Sequence, residues 1–146
     1  MNVGFIIYDG MTALDFIGVY DPVTRLNTMR FLPDLHWDVC ARSMTVEDGT
    51  GFGFLPSRVG QSLHGYDMVI VPGGYGSRTL MEDAAFIDWL RTADPCRYKV
   101  SVCTGQDSDH PPIGIQRLEA VLHLCSGSSD RRRRGRHHGK GGIIFD

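Results

Sequence analysis

Tyr66-Asp67-Met68-Val69-Ile70-Val71-Pro72-Gly73-Gly74-Tyr75-Gly76 decides the fold of this chain. From Met68 to Val71 the run is wholly apolar and ends in three β-branched residues, with no alternation of polar and apolar residues. A strand of that kind is buried on both faces, as in a parallel sheet. Pro72 ends it, and the glycines that follow turn the chain sharply. Beyond the turn, Leu80, Ala84, Phe86, Ile87, Trp89 and Leu90 recur at helical spacing up to Asp94-Pro95 and predict one helix.

The same unit of buried strand, turn and helix lies on the N-terminal side. Val3 to Tyr8 (VGFIIY) is a continuous apolar strand stopped by Asp9-Gly10. Thr12 is placed to cap a helix marked by Leu14, Phe16, Ile17, Val19 and Tyr20. Pro22 is expected to interrupt that helix, which resumes through Leu26, Met29 and Leu32 until Pro33. Trp37 to Ala41 (WDVCA) reads as a second strand. Residues 44–64, with five scattered Gly and Pro breakers among short apolar pieces, suggest a hairpin excursion. On the C-terminal side, Tyr98 to Val102 (YKVSV) is a further core strand, and it runs into Cys103-Thr104-Gly105. Strands alternating with helices over residues 1–105 argue for an α/β fold, a flavodoxin-like parallel sheet with helices on both faces. Ligands of such sheets bind at the carboxyl ends of the strands. Three loops fall there: Asp9–Asp15, Pro72–Gly76 and Cys103–Gly105.

After Gly105 the pattern breaks. A crossover helix should follow a parallel strand. Gln106-Asp107-Ser108-Asp109-His110-Pro111-Pro112 has the wrong chemistry for one. A short helix is expected over Ile115–Leu124. Residues 126–142, rich in Ser, Gly, Arg and His, are expected to be irregular, and Ile143-Ile144-Phe145 is strand-like.

With 146 residues, 42% of them hydrophobic, the chain suits one domain with a real core. A net charge of −2 gives no global attraction to nucleic acid or anionic membrane. The run Arg131–Arg134 is read as solvated chain in preference to a nucleic-acid-binding tail. The 4 cysteines, Cys40, Cys96, Cys103 and Cys125, show no C-x-x-C spacing, and the histidines form no convincing metal set. The start lacks a basic n-region and no apolar run is long enough to span a bilayer. A reducing, cytoplasmic setting with free thiols is therefore expected.

Among these thiols, Cys103 stands out. A thiolate at a strand-to-helix turn is stabilised by the partial positive charge and N–H groups of the helix N-terminus. The hydrolase nucleophile elbow uses the same geometry. Taken alone, a cysteine ending a buried strand is more often a small core residue. Asp15 is placed to orient the thiol or move its proton, or else is a solvated first-turn aspartate. Gly73 and Gly74 would let backbone N–H groups approach an oxyanion, or simply form a tight turn. Thr104 would touch a ligand or cap a helix. Cys40 reads as a core thiol and Cys96 as a loop residue.

Tyr8 to Gly18 (YDGMTALDFIG), Val71-Pro72-Gly73-Gly74 and Ser101-Val102-Cys103-Thr104-Gly105 are far more specific together. In order and spacing they resemble the ThiJ/PfpI superfamily of glutamine-amidotransferase-like proteins, and within it the isonitrile hydratase branch, over about residues 2–105. The resemblance implies Cys103 as nucleophile, Asp15 as the acidic residue beside it, Thr104 as the residue after the nucleophile, and Gly73-Gly74 as the anion-site pair. It implies addition of water to an isonitrile, with no cofactor and no metal, in a homodimer acting on a small molecule. Thr104 stands where the peptidase-like branch has histidine, which counts against peptidase activity. The similarity stops after Gly105, so residues 106–146 read as an off-family tail from a frameshifted or truncated frame. Loss of the helix after Cys103 would weaken both the thiolate and the cover of the sheet, and so threaten both activity and folding. The rival reading is a non-enzymatic ligand-sensing domain of an AraC-type transcriptional regulator.

Overall fold

The computed structural model describes residues 1–102 and the backbone of 120–122. Its core is a six-stranded sheet of β1 (Asn2–Ile6), β2 (His36–Ala41), β5 (Arg58–Val59), β6 (Met68–Val71), β7 (Tyr98–Val102) and β8 (Ala120–Leu122). The strand order is β5-β2-β1-β6-β7-β8, and every pairing is parallel. Without the two-residue β5, this is the flavodoxin-like order expected from the alternation. The continuous apolar runs are central strands: Val3, Phe5, Ile6, Val69, Ile70, Val71 and Val102 are all buried.

α1 (Ala13–Thr28) covers one face. Phe5 meets Phe16 and Tyr20 edge-on at 6.2 and 5.1 Å between ring centroids. Tyr8, two residues beyond β1, meets Phe86 of a later helix at 6.2 Å. Helices pack on both faces. β3 (Val46–Glu47) and β4 (Gly53–Phe54) form the expected hairpin, an antiparallel pair outside the main sheet. Its Phe54 reaches back to Phe16 at 5.5 Å.

Several local expectations are corrected. α1 runs straight through Pro22. Pro22 and Gly18 are both exposed, so the carbonyl that loses its intrahelical donor faces water. Thr12 occupies the N-cap position, but its side chain makes no capping bond. The phase of α1 is set by Phe16 and Tyr20 against Phe5, which buries Asp15, Phe16, Val19 and Thr24 and leaves Leu14 and Ile17 at 64% and 47% exposure. The single helix expected from Leu80 is two: α2 (Gly76–Leu80) and α3 (Ala84–Arg91). Asp83 restarts it from an extended conformation, its Oδ1 accepting from the N–H groups of Ala85 and Phe86 at 2.9 and 3.1 Å. Residues 120–122, expected within a helix, instead pair with β7 in the register Val100↔Ala120 to Val102↔Leu122. The pairing supplies β7 with a neighbour on its open side. The remainder of the expected tail, including Ile143–Phe145, lies outside the described residues.

Candidate active site

β1 and β6 are neighbours, but the chain leaves β1 toward β2 on one side and leaves β6 toward β7 on the other. The connections therefore diverge and open a crevice at the carboxyl ends, where ligands of such sheets bind. The loops after β1 and β6 meet there. The Thr12 N–H donates to the Gly73 carbonyl at 2.8 Å, and the Gly76 N–H donates to the Gly10 carbonyl at 3.1 Å. The buried Tyr8 hydroxyl donates to the Pro72 carbonyl at 2.7 Å. The hairpin is tied to the same loop. Gly10 N–H donates to the Glu47 carbonyl at 2.9 Å, Gly49 N–H to the Met11 carbonyl at 3.1 Å, and Glu47 N–H to Asp9 Oδ1 at 2.9 Å.

Asp15 stands in the first turn of α1, its N–H donating to the Thr12 carbonyl at 3.0 Å. Its exposure is 0%, which removes the solvated-aspartate reading. Enclosing a carboxyl costs free energy unless its surroundings answer its charge or its proton, so core positions rarely carry one. Enclosure at a ligand crevice suits a group that passes a proton without losing it to solvent.

Gly73 and Gly74 lie against the start of α1. Gly74 has φ +137°, and a Cβ there would fall 2.6 Å from Gly10 O, Met11 Cα and Thr12 N. The positive φ and the close approach of two backbones each demand glycine here. The Gly73 carbonyl takes the Thr12 bond, and the Gly74 carbonyl accepts from Ser77 Oγ at 2.7 Å. Cys103 and Thr104 lie outside the described residues. β7 ends at Val102, with Ser101 in register with Val71, so its carboxyl end lies beside Pro72 at this same edge.

The other described cysteines are poor nucleophiles. Cys40 is buried and donates to the Tyr66 hydroxyl at 3.3 Å, and burial pushes its pKa up to about 11. Cys96, read as a loop residue, is buried as well. Its thiol lies 3.5 Å from the Leu63 carbonyl, and burial raises its pKa too. Beside the crevice, a cavity of about 280 Å³ is lined by Ile7, Tyr8, Asp9, Arg42, Val46 and Phe86 among others. Among the described residues no three His, Cys, Asp or Glu side chains gather as a metal would require, and no helix is long and apolar enough to cross a membrane. Sequence reasoning missed the parts played by Tyr8, Gly10 and Gly76 in joining the two loops. The one visible signal was a glycine in each of two turns that follow buried strands.

No family model matches the chain. It is similar to an isonitrile hydratase of Pseudomonas putida, 32% identical over 107 residues, a match covering 72% of this chain and 44% of that protein. The chain thus spans less than half the length of that curated relative. Among solved structures it is similar to oxidised DJ-1 of Toxoplasma gondii, with TM-score 0.57 and 15% identity over 70% of this chain and 55% of that one. Drosophila melanogaster DJ-1beta gives TM-score 0.57 and 20% identity over 70% of this chain and 54% of that one. At those identities the two structures speak for the fold alone. The parallel sheet with its crevice at the β1–β6 switch, taken with the hydratase match, places the chain in the ThiJ/PfpI superfamily.

Proposed function

We propose that this chain contributes the nucleophile side of an isonitrile hydratase site, which adds water to R–N≡C and yields R–NH–CHO. The observation that carries the reading is the complete burial of Asp15 in the first turn of α1, directly after the loop whose Thr12 N–H is bonded to Gly73 at the carboxyl edge of the sheet. In this reading the Cys103 thiolate attacks the terminal isonitrile carbon, forming a C–S bond. That carbon receives a proton delivered by Asp15, giving the thioimidate R–N=CH–S–Cys103. Asp15 then takes a proton from water as its oxygen attacks the same carbon. The C–S bond breaks, the thiolate leaves, and the imidic acid tautomerises to the formamide. Gly73 and Gly74 line the side of the crevice where negative charge develops, and Thr104 holds the attacking water. Self-association as a homodimer belongs to the same reading, supported by the exposed apolar side chains Leu14, Ile17 and Phe52.

The deciding experiment is formamide production from an alkyl isonitrile by the wild-type chain and by Cys103→Ser, followed by mass spectrometry. Removing the nucleophile is expected to lower the rate by ~10³-fold or more. Equal rates, or none in either protein, would overturn the reading. Sedimentation at several concentrations tests the dimer, which a lone monomer species would remove.

A further inference from the structure

At the crevice two backbone segments meet with no side chain between them: Asp9–Thr12 after β1 and Gly73–Gly76 after β6. Gly76 is where an added side chain would clash hardest. A Cβ built on Gly76 would lie 2.1 Å from the Asp9 carbonyl oxygen and 3.0 Å from the Gly10 carbonyl carbon and Cα. Gly76 is not among the positive-φ glycines, so its backbone conformation is open to any residue and only space demands glycine. Gly10 is the reciprocal partner. It has φ +77°, and its own Cβ would meet Gly76 Cα at 3.0 Å. The atoms in the way are main chain on both sides, so no flexible side chain can yield.

We infer that Gly76 is a positioning residue: by admitting this backbone contact, it sets the distance between the Gly73–Gly74 pair and the first turn of α1, which carries Asp15. The inference rests on the reaction proposed above. A Cβ at Gly76 reaches ordinary van der Waals distance from Asp9 only if the loops part by roughly an ångström, a displacement that costs a reacting constellation ~10²-fold in rate. Parting would stretch the bonds from Thr12 N–H to Gly73 and from Gly76 N–H to Gly10, now 2.8 and 3.1 Å. Asp15 moves with α1 and Gly73–Gly74 with β6, so the gap opens between the proton-handling group and the anion side. Gly76 touches neither substrate nor reacting atoms and acts through these two elements.

The test compares the wild-type chain with Gly76→Ala and with Gly53→Ala, a control in the hairpin where an added Cβ meets nothing within 4 Å. Two measurements are made: kcat and KM for isonitrile hydration, and the pH profile of Cys103 alkylation by iodoacetamide in a Cys125→Ser background. Cys40 and Cys96 are buried with raised pKa values and stay silent in the second. Gly76→Ala is expected to lower kcat by ~10²-fold with KM little changed, and to move the midpoint of the alkylation profile, while Gly53→Ala does neither. If Gly76→Ala fails to fold, Thr12→Pro carries the test, since it deletes the N–H that holds Gly73 and leaves Gly76 in place. A folded loop variant that matches wild type and Gly53→Ala in both measurements overturns the inference. If the wild-type chain shows no Cys103-dependent hydration, the proposed reaction fails by itself, and the alkylation midpoint alone decides whether Gly76 positions the site.

Discussion

Asp15 and Asp38 belong to elements of the same sheet domain and are built in opposite ways. Asp38, on β2, accepts hydrogen bonds from the Tyr66 hydroxyl at 2.8 Å, Ser57 Oγ at 3.2 Å and Arg58 Nε at 3.2 Å. Burial works to raise its pKa, but the bonds from Tyr66, Arg58 and Ser57 outweigh it and hold the carboxyl below its usual value. The Tyr66 hydroxyl in turn accepts from the Cys40 thiol. Cysteine, tyrosine and aspartate so joined look like a proton relay, yet the thiol is not activated. Burial pushes Cys40 up to about 11, and burial together with its bonds to Cys40 and Asp38 raises Tyr66. Asp15 is fully enclosed, at a helix start by the carboxyl edge of the sheet. A thiol near a carboxylate is therefore no sign of chemistry. What distinguishes a site is its position at the strand ends, where a helix N-terminus can favour a thiolate.

The sharpest way to break this comparison is to neutralise each aspartate in turn. Asp15→Asn is expected to lower hydration by ~10²–10⁴-fold, the usual share of a general acid–base group. Asp38→Asn should leave kcat and KM at their wild-type values. Equal losses in steady-state rate would erase the distinction. A smaller effect concerns stability against pH. The Cys40 pKa is raised from 9.0 to about 11 in the folded chain, so the fold binds that proton more tightly than the unfolded chain does. The associated stability is complete below pH 9 and is lost as pH rises toward 11, at ~1.4 kcal/mol per pH unit. Urea midpoints across that range should fall more steeply for wild type than for Cys40→Ala. Parallel curves would show that Cys40 does not titrate in this way. The smallest effect is expected from Tyr66→Phe, which deletes one hydroxyl between Cys40 and Asp38. It should cost ~0.5–1.5 kcal/mol in chemical denaturation and leave turnover untouched. A loss of turnover would mean that the two regions communicate.

The sheet was legible because buried parallel strands carry a local signature. VGFIIY and MVIV declare burial on both faces without reference to any partner, whereas YKVSV alternates apolar and polar residues, and only its sheet neighbours show that Lys99 and Ser101 are buried too. Helices were less legible. Leu14 and Ile17 are as apolar as Phe16 and Val19, and only the packing of Phe16 and Tyr20 on Phe5 selects which of them turn inward. The break between α2 and α3 depends on whether Asp83 leaves the helical conformation to cap Ala85 and Phe86, a choice apolar spacing does not record. Asp15, Gly73 and Gly74 are picked out as candidates by their motifs. Whether Asp15 is solvated or enclosed is not, since both readings are compatible with an aspartate in a first helical turn.

The sequence by itself determined the parallel α/β class, the strands that form the centre of the sheet, and the motifs that gather at its carboxyl edge. Each follows from the polarity and spacing of neighbouring residues. Only the tertiary structure decided that Asp15 is shut away from solvent, that Cys96 is buried, and that the two loops leave no room for a Cβ at Gly74 or Gly76. Those properties arise from atoms brought together from distant parts of the chain: α1 against β1, the β6 loop against the β1 loop. Enclosure and steric contact are set by such partners, and no local stretch of residues contains them.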